Sequence, residues 1–113
     1  MTKIAIVGSR DYPHPHKIQR AIEFFSQYEC EIVSGGARGV DSQAEQIARN
    51  LGLPVTIFHA NWNMYGNRAG AMRNKQIVDY ADVIVAFWDG KSKGTQITVG
   101  MAKRAGKKVL VIQ

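Results

Sequence analysis

The chain has 113 residues, 45% of them apolar and 21% charged. That balance suits one folded domain with its own core and excludes a disordered or low-complexity chain. Lys and Arg outnumber Asp and Glu by 15 to 9, and the formal charge of +6 favours anionic partners such as a nucleotide or a nucleic acid, although dispersed charge also serves plain solubility. No apolar run is long enough to cross a bilayer, and Met1-Thr2-Lys3 leads into a strand rather than a signal peptide. Cys30 is the only cysteine, so no internal disulfide can form. A cytoplasmic setting with no membrane partner is expected.

In chain order, Lys3-Ile4-Ala5-Ile6-Val7 is a continuous β-prone run ended by Gly8, the pattern of a parallel strand buried on both faces. Asp11 to Pro15 reads as a loop whose prolines can open a helix. The helix is expected from about His16 to Gln27, with Ile18, Ala21, Ile22 and Phe25 on one side. Glu31 to Ser34 is a second strand, and Cys30 before it reads as a small filler at the junction.

A glycine-rich loop, Ser34-Gly35-Gly36-Ala37-Arg38-Gly39, leads into a helix with Val40, Ala44, Ile47, Ala48 and Leu51 on one face. Ser42 and Glu45 have capping-box spacing, and Gly52 suits the stop. Pro54 to Phe58 is a third strand. His59 to Gly70 is a long irregular loop carrying Trp62, Tyr65 and Arg68, a length that usually signals function or mobility. A helix over about Ala71 to Tyr80 and a strand over Val83 to Phe87 follow. Trp88 to Thr95 is a second loop bearing glycine and lysine. The helix that opens there is expected to bury Ile97, Met101, Ala102 and Ala105 and to close at Gly106. Lys108 to Ile112 is the last strand.

Five strands alternating with four helices predict a single α/β domain, a Rossmann-like three-layer sandwich with a five-stranded parallel sheet in the order 3-2-1-4-5. In such sheets ligands lie beyond the carboxyl ends of the strands, where the winding reverses. The loops after strands one, two and four then sit side by side. They carry Gly8-Ser9-Arg10, the loop of Gly35, Gly36, Arg38, Gly39 and Asp41, and Gly94-Thr95. Glycines permit close backbone approach, helix starts offer free N–H groups, and arginine suits phosphate.

Asp41 leaves three uses open: a helix cap, a ribose contact, or an acid/base group. Arg73 can fork onto a phosphate, with Asn74 beside it. Lys91 and Lys93 can steer phosphates or stay solvated. Trp62, Tyr65 and Trp88 can stack on a base, pack in the core, or face a second copy. His14, His16 and His59 lack metal-ligand spacing, and no metal or cofactor is expected.

Ser34 to Asp41, together with Arg73-Asn74 and Gly94-Thr95, resembles the SLOG superfamily of Rossmann-like domains over nearly the whole chain. That superfamily includes DNA-processing protein A and the Lonely Guy phosphoribohydrolases, and Val7-Gly8-Ser9-Arg10 is similar to the small standalone members related to YspA and YpsA. The resemblance implies a nucleotide or nucleotide-derived ligand and a homodimer. The DNA-processing relatives use the matching glycine loop and Arg-Asn helix for single-stranded DNA. The Lonely Guy loop reads Pro-Gly-Gly-x-Gly-Thr-x-x-Glu, whereas here Thr98 stands in place of the glutamate and the leading Pro-Gly-Gly is absent.

Three functions follow as expectations. The first is nucleotide binding through phosphate held by Gly35, Gly36, Arg38, Gly39, Gly94 and Thr95, with Gly8, Ser9, Arg10 and Arg73 adding contacts and Asp41 or Asn74 reading sugar or base. The second is N-glycoside hydrolysis, in which Asp41, Asp89 or Asp11 would replace the missing glutamate. The third is sequence-tolerant single-strand binding, motivated by the charge and the aromatic residues.

Overall fold

Four consecutive residues of β1 (Thr2–Gly8), Ile4 to Val7, are buried, so neither face of the strand meets water. Side chains alternate along a strand, and accordingly Ile4 and Ile6 join one apolar cluster while Ala5 and Val7 join another. A strand of that kind belongs in the middle of a sheet covered on both sides. The computed structural model describes residues 1–113 and places β1 there. It lies between β2 (Cys30–Ser34) and β4 (Val83–Phe87), with β3 (Val55–Ile57) and β5 (Lys108–Ile112) on the edges.

Every pairing is parallel, and the order β3-β2-β1-β4-β5 is the one expected. The register sets Gly8 level with Phe87, so β1 and β4 end at one height.

Helices cover both faces. On one side α1 (Pro15–Phe25) and α2 (Val40–Asn50) seal the cluster of Ile4, Ile6, Ile32, Val85 and Phe87 with Ile18, Ile22, Val40 and Ala44. The irregular segment after β3 holds a one-turn helix, α3 (Trp62–Tyr65), and a 3-10 turn over Gly66–Arg68. On the other side α4 (Ala69–Tyr80) and α5 (Lys93–Arg104) close over Ala5, Val7, Val33, Ile84 and Ala86. Four of the nine buried residues in that second cluster are alanines, which permits a close approach of helix to sheet. No helix is long and apolar enough to cross a membrane.

Several boundaries differ from expectation, each for a local reason. Pro15 occupies the first turn of α1, where its missing N–H costs nothing, so the helix starts one residue early. It ends at Phe25 because Ser26, Gln27 and Tyr28 turn back with amides bonded to Ile22, Phe24 and Phe25 carbonyls. Cys30 lies in β2, buried, its thiol donating to the Phe25 carbonyl (3.4 Å), and burial pushes that thiol's pKa up.

The capping box does not form. Gly39 stands at the α2 N-cap, Ser42 Oγ donates to the Gly39 carbonyl, and Glu45 instead accepts from Ser34 Oγ (2.8 Å). In α5 the buried stripe is Thr95, Thr98 and Ala102, whereas Ile97 is 57% exposed and Ala105 faces solvent. The hydroxyls can be buried because each finds a partner: Thr95 Oγ1 lies 3.2 Å from Ser92 Oγ, and Thr98 Oγ1 donates to the Gly94 carbonyl.

Phe87 is the largest fully buried side chain and meets Tyr12 edge-on, the ring centroids 5.5 Å apart. Phe87→Ala is expected to lower unfolding stability by about 3–5 kcal/mol in urea titration, through lost transfer energy and the cavity left behind.

Candidate functional site

At the carboxyl edge of the sheet, three loops pack closely against one another at glycines. A Cβ at Gly8 would lie 2.5 Å from the Phe87 carbonyl oxygen, so only glycine allows β1 to turn away beside β4. Ser9 completes that junction: its amide donates to the Phe87 carbonyl, and its hydroxyl accepts from the Asp89 amide (3.2 Å). Gly39 has φ +83, and a Cβ there would collide with the Arg10 backbone. The loops after β1, β2 and β4 are thereby held together.

Their meeting encloses a cleft of about 520 Å³. From the β1 loop it takes Gly8, Ser9, Arg10 and Asp11; from the glycine loop, Ala37, Arg38 and Asp41. The β4 loop and α5 supply Asp89, Lys91, Ser92, Gly94, Thr95 and Thr98, and α4 supplies Arg73 and Asn74. Nine of the twelve expected site residues therefore share one cleft.

Gly35, Gly36 and Gly39 do not line it and are packed against neighbouring groups. Gly35 is buried where a Cβ would lie 2.8 Å from Arg73 Cδ and 2.9 Å from Asp41 Oδ2. Gly36 (φ +70) makes room for His59 and Ile57. Each of these glycines leaves room for a neighbouring group that a side chain would crowd.

Arg73 reaches across from α4. Its Nη1 donates to the Gly35 carbonyl (2.6 Å) and its Nε to Asn74 Oδ1 (2.9 Å). The side chain is a strut between α4 and the glycine loop as well as a charge at the cleft. Arg10, Arg38 and Lys91 are exposed at the rim. The molecule's one ion pair is Lys75–Asp79, outside this cleft, so none of its four cations has a carboxylate within salt-bridge distance. They share the cleft with Asp11, Asp41 and Asp89 without forming a direct ion pair.

The carboxylates at the cleft have separate occupations. Asp89 Oδ1 accepts from the amides of Lys91 and Ser92 (2.9 and 2.8 Å), and those donors hold its pKa below the usual range. Asp41 is buried in the first turn of α2, and its Oδ2 accepts from the Ala37 amide (3.3 Å). Burial pushes its pKa up to about 6, against the opposing pull of that amide and of Arg73.

One residue escaped the sequence reading. Ser92 is the α5 N-cap, accepting from the Thr95 amide, and Asx-like spacing after Asp89 was the available signal. Trp88, considered for stacking, fastens its own loop by donating Nε1 to the Ser92 carbonyl (2.9 Å) and does not line the cleft. Trp62 and Tyr65 lie outside the cleft as well.

Comparison with known proteins fits this geometry. The model of the family described as "DNA recombination-mediator protein A" matches residues 1–65, the stretch from β1 to the end of α3 that holds the first two loops. The chain belongs to that family. It is 35% identical to the Gene 61 protein of Mycobacterium phage D29 over 119 residues, covering 97% of this chain and 95% of that protein.

Among solved structures, the fold is shared with DNA processing protein A from Streptococcus pneumoniae (TM-score 0.84, 20% identity, all of this chain and 50% of that one). It is shared with the TM1055 protein (TM-score 0.79, 23% identity, 96% of this chain and 72% of that one). A third is DNA processing protein A from Helicobacter pylori, solved for its single-stranded DNA binding mode (TM-score 0.73, 20% identity, 97% of this chain and 64% of that one). The chain thus spans about half of the pneumococcal member and under two thirds of the Helicobacter one.

Two outcomes follow from the site's construction. Gly39→Ala is expected to cost about 3 kcal/mol or more in chemical denaturation, from backbone strain and collision with the Arg10 backbone. Asp41 takes up its proton more readily folded than unfolded, so its contribution favours the folded state below pH 4 and is lost as pH rises through about 6. The loss should approach 3 kcal/mol, from about 1.4 kcal/mol for each pH unit of displacement, and Asp41→Asn should flatten that segment of the stability–pH profile.

Proposed function

We propose that the cleft binds the phosphate groups of nucleotides and that its ligand is single-stranded DNA. The observation that carries this is the set of Arg10, Arg38, Arg73 and Lys91 around one cleft, with no carboxylate paired to any of them. Phosphodiesters are the anions best matched to such a set, because several modest contacts along a backbone add together and release counterions. Membership of a DNA recombination-mediator family supports the reading, as does the fold shared with a protein solved for its single-stranded DNA binding mode.

A free nucleotide or nucleotide-derived molecule is the second reading. A cleft of about 520 Å³ is within the range that small ligands occupy, and this favours it. Catalysis has less support. Helix α5 has no carboxylate, Thr98 is bonded to the Gly94 carbonyl, and Asp89 is taken up by backbone amides. Asp41 is the one carboxyl of the cleft whose pKa is raised toward neutrality.

Fluorescence anisotropy with labelled oligothymidylate, run between 50 and 200 mM salt, tests the proposal. Binding should weaken steeply with salt, and Arg10→Ala and Arg38→Ala should each make the log–log slope shallower by about 0.7–1. Displacement of the oligonucleotide by thymidine monophosphate would place both ligands in one cleft. Absence of binding by either at 50 mM salt would refute a phosphate site.

A further inference from the structure

Arg73 belongs to two hollows at once. Besides the phosphate cleft it lines a second, of about 440 Å³, together with His59, Asn61, Tyr65, Met72 and Gln76 among others. His59 and Asn61 in turn continue into a shallow hollow beside Trp62. Three depressions therefore run in series across the surface, joined at Arg73 and at the His59–Asn61 edge.

The segment beside them is built to present rings. Asn61 Oδ1 accepts from the Met64 amide (3.1 Å) and caps the single turn of α3. That turn leaves Trp62 57% and Tyr65 42% exposed. Trp62 is nevertheless seated: the point where Gly70 would carry a Cβ is 3.5 Å from its Cη2 and 4.0 Å from Arg73 Nη2. An indole and a guanidinium thus flank one glycine of α4, a ring beside a phosphate-binding cation.

We propose that the second cleft with the Trp62 and Tyr65 rings is a base-stacking subsite, so that the ligand is an oligonucleotide strand running from the phosphate cleft across Arg73. The inference rests on the phosphate reading of the first cleft. Stacking is the interaction that suits the place, since every base has a π-face and a ring held on the surface can take any of them. Charge is complementary too, because Arg73 offers its guanidinium at the join, while Asp79, which also lines the second cleft, is paired with Lys75 at 2.7 Å.

The test is titration of the full chain with oligothymidylates of one, two, four and eight nucleotides, read by tryptophan fluorescence and by competition. Affinity should climb at least tenfold between the mononucleotide and the tetranucleotide, with quenching of Trp62 emission. In Trp62→Ala the octamer should bind about tenfold more weakly while the mononucleotide stays within twofold, and Trp62→Phe should recover most of the loss. Tyr28→Ala, an exposed ring outside both clefts, should change neither.

A mononucleotide that binds while affinity stays flat with length would overturn the subsite and spare the phosphate cleft. An octamer affinity unchanged in Trp62→Ala, with self-association lost in sedimentation, would give the rings to a second copy of the chain and overturn it as well. Failure of every length to bind would remove both readings.

Discussion

Main chain touches main chain at two points beneath the cleft, and the rest of the site follows from that. The β1 loop can leave the sheet against the Phe87 carbonyl because Gly8 has no side chain, and α2 can start against Arg10 because Gly39 has none. Without those approaches the three loops would splay, and Arg10, Arg38 and Lys91 would stand apart on the surface. The cost is glycine's conformational entropy and a backbone held at positive φ. It is offset by a sheet whose central strands bury both faces, a large apolar gain for a chain of this length.

How the cleft handles charge is the second theme. Cations at its rim keep their solvation and remain available, whereas Asp41 lies inside and faces Arg73 and the Ala37 amide. Its pKa of about 6 stands above the ordinary carboxylate value yet leaves it mostly ionised at neutrality, beside the Arg73 charge. Burial, not a neighbouring anion, is the largest cause of the upward displacement.

The fold was legible because its signals were redundant. The run Lys3 to Val7 could only be a doubly buried strand, and alternating strand and helix periods left one simple winding. Convergence of the loops followed from that order, which is why Arg10, Arg38, Arg73 and Thr95 could be placed together from sequence alone. What stayed hidden depended on contacts distant in sequence. The apolar stripe of α5 was misread because Ile97 outweighs Thr95 and Thr98 on any hydropathy count, yet paired hydroxyls are content inside. Nothing local reveals that Arg73, His59 and Arg10 press against the glycines at 35, 36 and 39. Trp88 looked free to stack, but its indole N–H had a carbonyl partner four residues on.

One side chain illustrates how tightly such a small molecule is wired. Arg73 props the glycine loop through the Gly35 carbonyl and also stands in the walls of two hollows. Lysine keeps the charge but not the fork, and glutamine keeps a donor but not the charge. The position is thus pleiotropic: a change there would disturb the glycine loop and reshape both hollows together, so either hollow could be remodelled alone only through Arg73's neighbours.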